Sequence, residues 1–489
     1  MSRKPAIQRL ATGVPGLDAV LGGGVPEYSF NLIAGQPGCG NTTLSHQIMF
    51  ALATRERPAL YFTVLGEPPL KMLRYQQQFD WFDETAVNDR VRFISLSDDA
   101  MTGQLDKVLA RIAEEMLTHS PGLVFVDSFR SVSFSADGGE NLHNRLQQFV
   151  QQLGMLMTSW QATTFLIGEY FNDLDANPVF TVADGLIWMR QSVQRNSMVR
   201  KLEIMKMRGQ ATLPGLHTFR IDHSGISVFP PASVVAAGHA EALRPVPEGR
   251  AKMGVDVLDQ MLGGGLPRGY SLLVAGPSGS GKSILAASFL AEGARCGETG
   301  VLAAFEQQPN SQRSPLLASL IGQGQVTLID SREPDLSIDE IVMLILAEVQ
   351  RRKATRVVLD SLSGFELALA PTFRADFRES LLGLVSALSH VGVTVLMTSE
   401  LEDRYTDLRF SPYGAAFLTD AIIVQRYIEV HSQLLRVMAV VKVRASAHAN
   451  DLRLYAIDES GIVVGDPLPD QEGLLGGRPT RQRRDAGTS

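Results

Sequence analysis

The chain has 489 residues, 45% of them hydrophobic, more than one ordinary core accommodates, so two globular domains are expected. A formal charge of -7 and a sequence pI of about 5.8 argue against a surface built to neutralise nucleic-acid phosphates. Two cysteines cannot build a disulfide framework, no charged-then-apolar leader opens the chain, and no apolar run is long enough to span a bilayer, so a cytoplasmic protein without a membrane partner is expected.

The first distinctive segment runs from Thr12 to Gly24 and carries Gly13, Leu17, Asp18, Leu21 and three successive glycines; the same pattern returns from Met253 to Gly265. An apolar run, Tyr28 to Ala34, leads into a glycine loop made of Gly35, Gly38, Cys39, Gly40, Asn41, Thr42 and Thr43. This is a phosphate-binding loop in outline, because glycines let backbone N–H groups curl around phosphate oxygens at a helix N-terminus. Asn41 stands where such a loop needs a lysine, and a short neutral amide does not offset γ-phosphate charge. Thr42 still offers a hydroxyl to magnesium. Further runs, Ala59 to Val64, Gly122 to Asp127, Thr163 to Ile167 and Gly185 to Met189, alternate with amphipathic stretches as in a parallel sheet flanked by helices. Asp127, at a strand's C-terminal end, is a candidate magnesium ligand. Leu65, Gly66 and Glu67 follow the second run, with Glu67 set two positions beyond the expected place of a catalytic carboxylate. Lys206 and Arg208 alternate with apolar residues on a late strand, which puts both on one face.

A proline- and alanine-rich stretch without periodicity makes residues 233–249 a linker between domains spanning 1–232 and 250–466. In the second domain Tyr270 to Ala275 leads into Gly276, Ser278, Gly279, Ser280, Gly281, Lys282 and Ser283, a phosphate-loop pattern without a mismatch, followed by a helix from Ile284 to Ala294. Gly276 lies 241 positions after Gly35, the offset that also relates Gly254 to Gly13, so repeat and loop travel together. Lys282 is expected to reach the β- and γ-phosphates and Ser283 to hold magnesium, with Ile284 completing the nucleotide contacts. Gly300 to Phe305 precedes Glu306, the candidate general base, which otherwise reads as a solvated surface carboxylate. Arg356 to Asp360 ends on a second candidate magnesium ligand, whose plainer reading is a helix cap; the matching Asp127 favours the ligand. After Thr394 to Thr398 and Ala421 to Val424 come Lys442 and Arg444, 236 positions beyond Lys206 and Arg208. Such a pair, far in sequence from its own loop, suits an arginine finger supplied to a neighbouring subunit, against the alternative of a solvated strand face. Residues 467–489, with Arg481, Arg483 and Arg484 among glycine and proline, read as a mobile tail.

Together, the tandem copies, the leading glycine element and the late basic strands resemble the KaiC family of clock proteins, which are RecA-like ATPases, and the likeness spans residues 10 to 465. The resemblance implies two tandem RecA-like P-loop domains and a homo-oligomer of two stacked rings, a hexamer, with ATP and Mg²⁺ between subunits. It further implies that Lys206, Arg208, Lys442 and Arg444 reach across to a neighbour, that ATP is hydrolysed slowly, and that the second domain autophosphorylates on serine and threonine. The family's two adjacent phosphoacceptors fall on Ala416 and Phe417, which have no hydroxyl, leaving Ser411 and Thr419 nearby. Its paired glutamates become Glu306 and Gln307. The expectation is a regulatory timer or switch with protein partners and its activity mainly in the second domain. A nucleotide-gated scaffold is the alternative, and a DNA motor is disfavoured by the acidic balance.

Overall fold

The computed structural model describes residues 7–64, 69–101, 104–128, 142–170, 178–194, 197–231, 234, 248–305, 315–330, 337–369, 377–401, 418–430, 432–459, 461–468, 471–472 and 480–481. The chain divides between Pro230 and Pro231 into two compact units.

Each unit is organised on one nine-stranded sheet, and the two sheets have the same strand order. Across the first lie Gly225–Phe229, Leu216–Asp222, Ser197–Met207, Gly185–Gln194, Phe30–Gly35, Thr163–Glu169, Leu123–Asp127, Ala59–Thr63 and Val91–Ser95. Across the second lie Gly461–Pro467, Arg453–Asp458, Gln433–Val443, Ala421–Val430, Ser271–Gly276, Thr394–Glu400, Arg356–Asp360, Gly300–Ala304 and Val326–Asp330. The six strands from Gly185–Gln194 to Val91–Ser95 are mutually parallel, as are their six counterparts, while the first three named in each sheet pair antiparallel. Parallel neighbours need crossover connections, which the helices supply, and these cover both faces of the sheet. The loop-bearing strand is therefore buried throughout: Leu272 and Val274 point into one apolar cluster and Leu273 and Ala275 into the other.

The five apolar runs expected in each half are all strands, with ends shifted by tertiary context. Tyr28 has φ 62° and turns, so the first loop-bearing strand starts at Phe30, and the run from Gly300 stops at Ala304. Three strands of each nine-stranded sheet were not anticipated, because edge and antiparallel strands such as Val91–Ser95 and Arg453–Asp458 are only half buried and carry no continuous apolar run. In the stretch expected to be a tail, Gln471–Glu472 pairs antiparallel with Thr480–Arg481. Residues 469–470, 473–479 and 482–489, with Arg483 and Arg484, lie outside the described residues.

The repeated glycine element is a structural lock. Asp18 accepts from the Thr12 amide at 2.9 Å and Asp259 from the Met253 amide at 2.7 Å, pinning each short helix to the segment before it. The third glycine, Gly24 or Gly265, has φ above 100°, and a Cβ there would lie 2.3 or 2.8 Å from the Leu10 or Ala251 carbonyl oxygen.

The second unit has a feature the sequence did not announce. Arg356 is 1% exposed; its Nε donates to Glu298 at 2.6 Å, its Nη1 to the Phe289 and Lys252 carbonyls, and its guanidinium lies 4.5 Å from the Phe289 ring centre. Burial disfavours the Glu298 charge, but Arg268 and Arg356 outweigh it and hold the carboxyl below its usual range. Arg356→Met leaves Glu298 short of a partner and the two carbonyls unpaired, so it is expected to destabilise the second unit by about 3 to 5 kcal/mol. Chemical denaturation of wild type and variant side by side measures that loss.

Candidate functional site

In the second unit the strand Ser271–Gly276 passes through the glycine loop into the helix Lys282–Arg295, with Gly281 in the left-handed region at the helix cap. The parallel neighbour Ala421–Val430 and the antiparallel strand Arg453–Asp458 brace the loop from the side. Ser280 Oγ donates to Gln425 Oε1 at 3.0 Å, Tyr455 Oη donates to the Ser280 carbonyl at 2.6 Å, and Tyr427 Oη lies 3.5 Å from the Ser278 carbonyl. Lys282 Nζ donates to the Gly276 and Pro277 carbonyls at 2.9 and 2.8 Å, so the ammonium lies over the loop where a phosphate chain would sit. Asp360 ends the strand two places from the loop-bearing strand and accepts from the Thr398 hydroxyl. The amide of Phe305 donates to the Asp360 carbonyl at 3.1 Å, which brings the chain immediately before Glu306 beside that carboxylate. Glu306 itself, with Gln307, Ser411, Ala416 and Phe417, lies outside the described residues.

The first unit repeats this plan with altered chemistry. Gly40 caps the helix Asn41–Leu52 in the left-handed region, as Gly281 does its counterpart, and Gly38 is left-handed as well. Asn41 is turned back: its Nδ2 donates to the Gly35 carbonyl at 3.3 Å, while its Oδ1 is buried without a partner. The Thr42 hydroxyl donates to Asp127 Oδ2 at 3.1 Å, and Tyr61 Oη donates to the same oxygen at 2.7 Å. Burial pushes the Asp127 carboxyl above its ordinary range against these two hydrogen bonds, and burial and the neighbouring Asp127 push the Tyr61 phenol up. His46, next along the helix from Ser45, packs its ring 4.5 Å from that of Tyr61; burial drives its pKa down to about 3, so it is neutral. Burial also raises the Cys39 thiol. Leu65, Gly66 and Glu67 lie outside the described residues, although the Val64 amide reaches the Asp127 carbonyl at 2.8 Å as Phe305 does in the second unit.

The basic pairs lie away from their own loops. Lys442 is on the strand Gln433–Val443 and Arg444 just past its end, so the expectation of both on one strand holds only for the lysine. Lys442 Nζ donates to the Thr419 carbonyl at 2.6 Å, and Arg444 pairs with Asp420 at 3.1 Å while 57% of its side chain stays exposed. In the first unit Lys206 Nζ donates to the Thr181 carbonyl at 3.1 Å and Arg208 pairs with Asp184 at 3.0 Å. Burial, with the adjacent arginine, lowers both lysine pKa values. Register fixes where these groups stand. Ala275 is opposite Val424, whereas Val443 is opposite Ala421, so the basic pair sits at the strand starts and the loop at the strand ends of the same sheet.

Sequence reasoning missed Tyr61, Thr398, Gln425, Tyr427, Tyr455, Asp184 and Asp420. For the two aspartates a signal existed, since each precedes its arginine by 24 positions. For the others none did, because they come from strands remote from the loop.

Ser283 and Asp360 offer the hard oxygens that magnesium prefers, and no cluster of three or more His, Cys, Asp or Glu stands among the described residues. An ion there would depend on phosphate and water oxygens for its remaining ligands. Among the described residues no helix is long and apolar enough to cross a membrane.

The family model "ATPase: KaiC" matches residues 10–233 and again 251–468. The chain is 26% identical over 490 residues to the circadian clock oscillator protein KaiC of Picosynechococcus sp., covering 97% of this chain and 93% of the relative. It is 27% identical to the protein of that name from Rippkaea orientalis, covering 97% and 92%, and 25% identical to the circadian clock protein KaiC3 of Synechocystis sp., covering 97% and 95%. With two tandem matches and an intact phosphate loop in the second, the chain belongs to the KaiC family of ATPases.

Proposed function

We propose that the second unit binds Mg-ATP and hydrolyses it slowly at the boundary between two copies of the chain in a ring, with six copies per ring, and that the nucleotide state acts as a timer or switch read by protein partners in the cytoplasm. The observation that carries this reading is the separation of the two halves of the site. From the level of Gly276 to that of Arg444 the strand runs back five residues, about 17 Å at about 3.3 Å per residue, beyond the reach of one side chain. Arg444 is held by Asp420 with much of its guanidinium open, so it is presented outward to another copy's phosphates.

At that boundary the loop amides and Lys282 hold the phosphate chain, and Lys442 and Arg444 from the neighbour face the γ-phosphate. Ser283 and Asp360 would hold the magnesium ion, which neutralises the β- and γ-phosphate oxygens. Glu306 takes a proton from the attacking water as its oxygen bonds to the γ-phosphorus, and the bond to the β,γ-bridging oxygen breaks. Nothing in this apparatus calls for a nucleic acid. The first unit, with Asn41 in place of lysine, holds nucleotide weakly or turns it over slowly, and serves more as scaffold than as motor.

Autophosphorylation has little support in the residues present. Ala416 and Phe417 offer no hydroxyl, and Thr419 is fully buried with its carbonyl taken by Lys442. Thr419 lies at the strand-start end of the sheet with Lys442, so in this reading any transfer to it runs between copies and needs the strand start to open.

Lys282→Ala should remove most ATP turnover, at least about a hundredfold, because it deletes the charge on the β- and γ-phosphates. Turnover that survives this change but vanishes with Thr42→Ala places the activity in the first unit instead. Mixing inactive Lys282→Ala and Arg444→Ala chains under subunit exchange should restore activity, since some boundaries then pair two intact halves; no recovery at any ratio rejects action across the boundary. Radiolabelled ATP with peptide mapping should place well under one phosphate per chain, confined to Thr419 or Ser411, and near-stoichiometric label on two residues of the second unit rejects that expectation.

A further inference from the structure

The first unit carries a buried polar cluster that the second lacks. Tyr61 stands beside Phe125 in the parallel register, and the position equivalent to it in the second unit, beside Val358, is Leu302. Ser45 Oγ lies 3.4 Å from Tyr61 Oη, and the residue at its place on the second helix is Ala286. Asp360 instead takes its hydroxyl from Thr398, on the strand to its other side, where the first unit has Ile167. Each carboxylate thus accepts from a buried hydroxyl, but Asp127 takes that of Tyr61 on the same oxygen that receives Thr42, whereas Asp360 takes that of Thr398 on Oδ1.

That difference bears on magnesium. The ion needs the threonine or serine hydroxyl of the loop and an available carboxylate lone pair, directly or through water. In the first unit the Thr42 hydroxyl donates into Asp127 Oδ2, and the same oxygen receives the Tyr61 hydroxyl. Tyr61 is 0% exposed and packed against His46, Phe93 and Phe125, so it has no room to withdraw without stranding its hydroxyl in the core. The expected pair Thr42 and Asp127 therefore does not suit a magnesium ion, unlike Ser283 and Asp360.

A phosphate chain held there needs positive charge from elsewhere, and Arg200 supplies it. It lies opposite Gln191, whose Nε2 donates to the Pro37 carbonyl of the loop at 3.3 Å. It shares its sheet face with Leu202, which packs into the core around the helix Asn41–Leu52. Arg200 is half-buried, its Nε is buried without a hydrogen-bond partner, and its charge is felt at Cys39 inside the loop. A guanidinium in that state needs an acceptor, and an anion on the loop is one.

We propose that the first unit holds its nucleotide without a divalent cation, through the loop amides and Arg200, with Asp127 serving as an internal anchor for Tyr61 and Thr42. This rests on the first loop being a nucleotide site. The test is equilibrium binding of a fluorescent ATP analogue to the full chain carrying Lys282→Ala, in excess magnesium and in excess EDTA. The residual site should show affinities within about twofold in the two buffers, and adding Arg200→Gln should weaken it about tenfold in both, with the melting temperature unchanged. Tyr61→Phe, which leaves Asp127 Oδ2 with Thr42 as its one remaining donor of the two, should make the residual site depend on magnesium. An affinity loss of about tenfold in EDTA overturns the proposal, as does binding indifferent to Arg200→Gln. No binding in either buffer overturns it together with the nucleotide reading of the first unit, while wild-type turnover reports separately on the second. Manganese titration of the ATP-loaded wild-type chain by electron paramagnetic resonance gives an independent readout: one tightly held ion per chain is expected, and two reject the proposal.

Discussion

The parallel pairing of the loop-bearing strand with its neighbour is the constraint on which the rest depends. Ser271–Gly276 runs alongside Ala421–Val430, which then folds back as Gln433–Val443, so whatever ends that return strand must lie at the strand starts, opposite the loop. A phosphate loop at a helix N-terminus belongs at the strand ends, because only there do backbone amides and the sheet's crevice converge. The cationic pair and the loop are therefore kept apart within one unit by topology. Aspartates at the strand starts, Asp184 and Asp420, take up one face of each arginine and leave the rest exposed. An exposed ion pair of this kind adds little stability, and its value lies in orienting the guanidinium.

The two units show how one scaffold tolerates different electrostatics. Helix, loop and carboxylate-bearing strand occupy matching positions, and both loops rely on left-handed glycines. The second unit places a lysine over the loop and has buried apolar residues, Leu302, Ala286 and Ala287, at the positions of Tyr61, Ser45 and His46. In the first, a neutral asparagine turns back onto Gly35, and Tyr61, Ser45 and His46 carry polarity into the core. Buried polar groups are costly unless paired, and the tyrosine hydroxyl finds its acceptor in Asp127.

Much of the architecture was legible in the chain. Period and composition marked five of the six parallel strands of each unit, because a strand buried on both faces must be almost wholly apolar, as Leu272 to Ala275 is. Duplication marked the two units, and Gly276 to Ser283 marked the candidate phosphate site, because the loop's chemistry lies in eight consecutive residues. The antiparallel half of each sheet was less legible: half-buried strands such as Arg453–Asp458 mix polar and apolar residues in short runs.

By itself, then, the sequence determined the duplicated α/β plan, the second loop's match to the phosphate-loop pattern and the first loop's departure from it at Asn41, since each is written in contiguous residues. Only the tertiary structure decided which side chains meet those loops. Tyr61 reaches Asp127 across 66 positions, Thr398 reaches Asp360 across 38, and Tyr455 reaches Ser280 across 175. Strand order and register bring these residues together, and the choice between Tyr61 and Thr398 as partner of the carboxylate depends on which neighbouring strand presents a hydroxyl at that level. The separation of Arg444 from its own loop was likewise beyond local pattern, because it follows from the direction in which two distant strands pair.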